Sequence, residues 1–300
     1  DGGLVKREDH FAPLGYGGVN GTKYRQLVRL IADAHARGAR GVITGASVLS
    51  PQVSSTATVA AHYGLPCTVV LGGTSWPACL QRPNVQIAHR VGARFAFAKV
   101  GYNPAIQAEV RRLAALPEYR GYYLLCYGIS TPPGSTDADV EAFHRVGAAQ
   151  VRNLPPEVET LHMTAGSCNS CSSVLYGIAL HRPAGLRRVV LYEIGPSRRA
   201  WMEERLALLG RVSGRDVLGT FGPGRVEVVR HDLHGTGFAS YGDRMRERLD
   251  QIDLHPNYEG KVVRFRQRRP FGPGNLFWIV GSEPSWKAME PYVAPAGARS

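Results

Sequence analysis

Lys23 is the residue of this chain with the most chemistry open to it. It stands in Gly21-Thr22-Lys23-Tyr24-Arg25-Gln26-Leu27, just ahead of a helical pattern carried by Leu27, Leu30, Ile31 and Ala34 and ended by Gly38. A lysine held at such a junction can form an imine with an aldehyde; the alternative is an ordinary solvated surface lysine. A second feature is the small-residue run Thr164-Ala165-Gly166-Ser167-Cys168-Asn169-Ser170-Cys171-Ser172-Ser173. Small residues let a backbone close around an anion, and a helix that follows turns its positive end inward. Cys168 and Cys171 within it form a C-x-x-C, the spacing of a redox pair or of half a zinc site. The other cysteines are scattered and supply no second pair, so no metal is expected. Tyr241 and Tyr258 read either as proton-handling groups or as core aromatics. His231 and His234 could share a helix face, but no carboxylate pattern partners them. Ser50, with Pro51 after it, reads as a helix N-cap.

These residues need elements to hold them, and the pattern alternates strand and helix. Strands are expected at residues 41–44, 67–71, 94–98, 122–126, 161–164, 189–192 and 276–280. Helices are expected around residues 59–62, 85–91, 105–116, 137–150 and 174–180, with a short one near 244–252. Such a βαβ series implies an α/β fold of mostly parallel sheets with helices on both faces. Thr131-Pro132-Pro133-Gly134-Ser135 interrupts the series and could mark a crossing between lobes.

Composition narrows the classes. The chain has 300 residues and is 44% hydrophobic, enough for a substantial core. No apolar run approaches the ~20 residues needed to span a bilayer. No signal peptide is expected, and five cysteines in a chain of this size suggest reduced thiols and a cytoplasmic setting, that of a host cell if the source is viral. Lys plus Arg number 36 against 24 Asp plus Glu, a net charge of +12. An enzyme of small free amino acids has no need of such an excess. It favours a polyanionic partner, most simply nucleic acid, against the alternative of a basic but inert surface. Two stretches concentrate the charge: Arg244, Arg246 and Arg248, then Lys261, Arg264, Arg266, Arg268 and Arg269. A charged helix face or a protected sheet edge is the structural alternative.

In order and spacing these motifs resemble the pyridoxal-phosphate (PLP) enzymes of fold type II, in the tryptophan synthase beta superfamily. The nearest branch is that of 1-aminocyclopropane-1-carboxylate deaminase and D-cysteine desulfhydrase. The likeness runs in patches over nearly the whole chain. It implies a large PLP-binding lobe from residues 1–39 and 131–300 and a small lobe from 40–130. It makes Lys23 the imine lysine, with Thr22 where the family usually has asparagine. It makes Ala165, Gly166, Ser167, Cys168, Asn169 and Ser170 the phosphate cradle, with Cys171 where a second glycine is common. Tyr258-Glu259-Gly260-Lys261 matches a tyrosine-glutamate-glycine-lysine motif whose Glu259 would face the pyridine nitrogen. Tyr241 matches a tyrosine-glycine motif, and Ser50 a serine near the substrate carboxylate. Leu49 and Pro51 depart from the glutamine and asparagine that flank that serine in the family, which puts the family's usual reaction in doubt.

The expectation is therefore a PLP-dependent lyase, with Lys23, Ser50, Tyr241 and Tyr258 as catalytic residues. The resemblance extends to bacteriophage enzymes that trim amino acids attached to thymidine. With the excess charge, this favours a decarboxylase acting on an amino-acid group carried by a DNA base. The alternatives are a deaminase or desulfhydrase of a free small amino acid and a non-catalytic nucleic-acid-binding relative. A homodimer is expected by analogy with relatives.

Overall fold

The computed structural model describes residues 2–14, 19–73, 75–98 and 100–284. In chain order the first elements are β1 (Leu4–Arg7), α1 (Tyr24–Ala36), β2 (Gly41–Ser47), α2 (Pro51–His62), β3 (Cys67–Gly72), α3 (Trp76–Leu80), α4 (Pro83–Arg90), β4 (Arg94–Ala98), α5 (Asn103–Ala114) and β5 (Tyr122–Leu125). They continue with α6 (Asp137–Ala148), β6 (Thr160–Ala165), α7 (Asn169–His181), β7 (Arg188–Glu193), α8 (Arg199–Ser213) and β8 (Glu227–Asp232). The last are β9 (Arg248–Leu249), β10 (Ile252–Asp253), α9 (Glu259–Phe265) and β11 (Asn275–Ile279).

The chain forms two compact units. One contains β1, residues 21–23 and the chain from Gly134 to Ser282; the other contains the chain from Tyr24 to Pro133. Each is built on a parallel sheet, of strand order β1-β11-β6-β7-β8 in the first and β4-β3-β2-β5 in the second. The fold is thus the expected α/β architecture of parallel sheets and helices.

In the first unit the central strands read as continuous apolar runs because both faces are covered. Leu161, Met163, Val189, Leu191 and Trp278 are fully buried with Leu175, Ile178 and Leu209 on one side; Tyr192, Phe277 and Ile279 bury with Val262 and Val263 on the other. In the second unit Ile43 and Val70 pack against Ile106 and Val110 of α5. Gly45 and Gly72 leave room for that helix, since a Cβ at either would meet Val110 or Ile106 within 2.5 Å.

Most expected elements are present within a turn of their boundaries. Residues 244–252 are an exception: they form no helix but lead into the antiparallel pair β9 and β10, turned at Asp250, whose φ is +51°. Arg244, Arg246 and Arg248 alternate with Met245, Glu247 and Leu249, a period of two that suits extended chain better than helix. His231 and His234 share no helix face either. His231 lies on β8, and His234 lies in the turn after it, where Asp232 accepts a hydrogen bond from Gly235 N at 2.6 Å.

Candidate active site

In open α/β sheets ligands bind beyond the carboxyl ends of the strands. In the first unit the expected residues gather there. β6 ends at Ala165, and Gly166, Ser167 and Cys168 make the turn into α7. Cys168 is the N-cap, with a left-handed φ of 64°. The first N–H groups of α7 have no acceptor within their own helix, and the helix adds positive potential at the same place. The Ser170 hydroxyl is buried there without a hydrogen-bond partner among the described residues. Gly166 is bare on the side of Tyr258, whose ring would stand 3.9 Å from a Cβ added to it.

Lys23 reaches this turn directly, donating from Nζ to Ser167 Oγ at 2.8 Å. Burial pulls its amine down to about 8, against weaker opposing effects of Cys171 and Cys168. The amine therefore releases its proton far more readily than a solvated lysine. The segment ahead of it is pinned to β11. Thr22 N donates to Val280 O at 2.8 Å, and Trp278 Nε1 donates to Thr22 Oγ1 at 3.2 Å. Gly21 holds φ at +114°, and a Cβ on it would lie 2.4 Å from Val280 O. Only glycine lets the chain approach β11 so closely.

The same Val280 carries Glu259. Its N–H donates to Glu259 Oε1 at 2.8 Å. Glu259 is fully buried, and Oε2 has no well-formed hydrogen bond among the described residues. Burial pushes the carboxyl up to about 8, opposed by the Val280 N–H. One backbone residue thus couples the lysine segment to a buried carboxyl.

Tyr241 and Tyr258 meet through their hydroxyls at 2.9 Å, with their rings edge to face. Asn257, which had no expected role, and Lys261, which was expected to contact nucleic acid, hold them. Asn257 Nδ2 donates to Tyr241 O at 3.3 Å and to Asp243 O at 3.1 Å. Lys261 Nζ donates to Ser240 O at 2.7 Å and Tyr241 O at 3.1 Å, and lies 5.7 Å above the Tyr241 ring. The motif match over Tyr258–Lys261 pointed to this stretch, but not to the supporting role of Asn257 or Lys261.

Ser50 belongs to the second unit. It caps α2 by accepting from Gln52 N at 3.3 Å, so the N-cap reading describes its geometry. Asn84 Nδ2 fixes the turn by donating to Leu49 O at 3.3 Å. Gln52 ties that turn to the end of β5, donating from Nε2 to Thr44 Oγ1 at 2.8 Å and Cys126 O at 3.1 Å while accepting from Gly128 N at 2.8 Å.

The basic residues separate into two kinds. Lys261 is buried and tied to carbonyls, so it is not a surface contact for phosphate, contrary to the sequence expectation. Arg264 and Arg268 both pair with the buried Glu247, which neutralises part of their charge. Arg248 pairs with Asp253 at 3.0 Å. Arg266 lies over the Phe271 ring at 4.3 Å. Arg246 and Arg269 are exposed. No group of His, Cys, Asp and Glu suited to a metal ion occurs among the described residues, and no helix there is long and apolar enough to cross a membrane.

Comparison with known proteins sets this geometry in context. No protein-family model matches the chain. The O-seryl-dTMP PLP-dependent decarboxylase of Salmonella phage ViI is 34% identical over 95% of this chain and 79% of its own length. The D-cysteine desulfhydrase of Klebsiella pneumoniae (strain 342) is 30% identical over 97% of this chain and 89% of its own. Among solved structures, an ACC deaminase homologue superposes with a TM-score of 0.67 at 19% identity, covering 92% of this chain and 83% of that one.

Proposed function

Because this chain belongs to the fold type II pyridoxal-phosphate enzymes, in the group that includes D-cysteine desulfhydrase, we propose that it removes carbon dioxide from a seryl group carried by a thymidine nucleotide in DNA. The observation that carries this reading is the 34% identity with the phage decarboxylase across 95% of the chain. Two features agree with it: the net charge of +12, and the Leu49 and Pro51 departures beside Ser50.

The first unit fits the coenzyme on its own chemistry. The turn Gly166–Ser170 and the start of α7 would hold the phosphate, with the buried Ser170 hydroxyl, which has no partner among the described residues, beside them. Glu259 Oε2 is buried with no well-formed hydrogen bond among the described residues, which suits it to partner the ring nitrogen. Lys23 is the amine for the aldehyde. Once bound, the coenzyme supplies an electron sink for the pair left behind when the carboxylate departs.

The chain's own residues do the rest. Lys23 is pulled down to about 8, so its Nζ can take up or release a proton near neutral pH, and Ser167 Oγ holds that nitrogen at the turn. The linked Tyr241 and Tyr258 hydroxyls form a proton path whose position is set by Asn257 and Lys261. Ser50 is the proposed contact for the substrate carboxylate. Arg246 and Arg269, with Arg244, Arg248, Arg264, Arg266 and Arg268, are the proposed contacts for DNA phosphates. The two units are taken as the large and small lobes of the family. A homodimer working in the cytoplasm of a host cell completes the proposal.

Mass spectrometry of nucleosides tests the reaction. Incubating the protein with DNA that carries O-seryl-thymidine should convert that nucleoside to the product lighter by one carbon dioxide. An unchanged nucleoside profile overturns the proposal. The desulfhydrase relative, matched over 97% of this chain, supports a second reading, cleavage of a free thiol amino acid. Sulfide release from D-cysteine, with no change in the DNA, would establish it.

A further inference from the structure

No chemical step above uses the thiols of Cys168 and Cys171, although Cys168 lies in the turn proposed to hold the phosphate and Cys171 in the first turn of α7. Cys168 is the N-cap of α7 and Cys171 lies three residues on, in its first turn. At that spacing on a helix the Cα atoms lie about 5 Å apart, inside the range of roughly 4.4–6.8 Å that a disulfide spans. Both thiols are free, and both turn back on the end of β6: Cys171 Sγ lies 3.4 Å from Thr164 O, and Cys168 Sγ lies 3.7 Å from Gly166 O. Their exposures are 3% and 2%, which admits only a small oxidant.

We propose that Cys168 and Cys171 are a peroxide-oxidised pair whose reversible disulfide weakens anion binding by this turn. Their surroundings differ in the way such a pair needs. A hydrogen bond from Cys171, then the cations Arg230 and Lys23, hold the Cys168 thiol below its usual range, against burial and Glu193; the hydrogen bond to Cys168 and burial push Cys171 up. Cys168 is therefore the attacking sulfur and Cys171 the resolving one. The Cys168 thiolate attacks one oxygen of hydrogen peroxide, the O–O bond breaks, and hydroxide leaves a sulfenic acid. The Cys171 sulfur then attacks the sulfenic sulfur; the S–S bond forms, the S–O bond breaks, and the second oxygen leaves as water. In sum, two thiols and one peroxide give one disulfide and two waters. The bridge ties the N-cap to the first turn and shifts the N–H groups that face the anion.

The weakened ligand is pyridoxal phosphate if the proposed function holds, whereas formation of the disulfide is read without it. The full chain, stripped of coenzyme, is treated with hydrogen peroxide, alkylated and mapped by mass spectrometry. A linked Cys168–Cys171 peptide that dithiothreitol releases is expected. Cys171→Ser should stop at a sulfenic acid on Cys168 that dimedone traps. Pyridoxal phosphate, followed by its absorbance, should bind the oxidised chain about tenfold more weakly than the reduced chain. Alkylation of both cysteines after peroxide, or equal coenzyme affinity in the two states, overturns the inference. A disulfide in a chain that binds no pyridoxal phosphate in either state would overturn the proposed function and leave the oxidation site standing.

Discussion

At the scale of single residues, two buried ionisable groups of the proposed site pull stability in opposite directions with pH. Glu259 is raised from 4.5 to about 8. Between those values the folded chain holds a proton that the unfolded chain has released, so this group costs stability as pH rises through the window. Lys23 is lowered from 10.5 to about 8; its cost is complete below that value and is relieved as pH climbs towards 10.5. Glu259→Gln should therefore flatten the fall in stability between pH 4.5 and 8, measured as the denaturant midpoint across a pH series. If the proposed function holds, the same variant should keep the coenzyme but lose activity by roughly a hundredfold, because an amide cannot exchange the proton that the Glu259 carboxyl would share with the ring nitrogen. Lys23→Ala should abolish both the coenzyme's imine absorbance and carbon dioxide release; a variant that keeps either removes Lys23 from the mechanism.

At the scale of elements, strand-to-helix turns carry the residues of the proposed site. Ser50 caps α2 and is also the proposed substrate contact, and substitutions separate the two roles. Ser50→Ala should cost about 1 kcal/mol of stability through the lost cap. Ser50→Asp should restore the cap, while its negative charge repels a substrate carboxylate. Thermal unfolding that recovers in Ser50→Asp while KM stays raised is the expected pattern; recovery of both confines Ser50 to structure. Gly21→Ala is a second test. Its Cβ would lie 2.4 Å from Val280 O at a φ of +114°, so the Thr22–Lys23 segment must shift. Coenzyme affinity should fall although the substitution lies two residues from the lysine. The Pro51–His62 helix, the β6 turn and the β11 strand were all legible from apolar periodicity and small-residue runs. The β9–β10 pair was not, because spaced arginines resemble a helix face until their period of two is counted.

At the scale of the whole molecule, the charge of +12 predicts salt-sensitive DNA binding. The effective part of that charge is smaller than the arginine count suggests. Glu247 holds Arg264 and Arg268, while Arg246 and Arg269 are exposed. Arg246→Ala and Arg269→Ala should each lower the slope of log affinity against log salt by about 1, with smaller changes for Arg264→Ala and Arg268→Ala. Filter binding to duplex DNA at several salt concentrations reads this directly. Equal slopes in all four variants would place the DNA elsewhere on the surface.

The sequence by itself determined the α/β class, the lysine, the small-residue turn and the glutamate motif, because each depends on local spacing or on a resemblance borne by contiguous residues. Tertiary structure alone decided which polar groups are satisfied. Lys261 belongs to the same charged run as Arg264 and Arg269, yet it is buried among carbonyls, since α9 turns it towards Tyr241 and away from solvent. Glu247 reads as one more charge in a basic stretch, yet it neutralises two arginines that lie 17 and 21 residues away along the chain. Val280 has no chemistry of its own, but its backbone joins Thr22 to Glu259. Burial and long-range hydrogen bonds arise only when distant segments pack together, and no spacing along the chain encodes them.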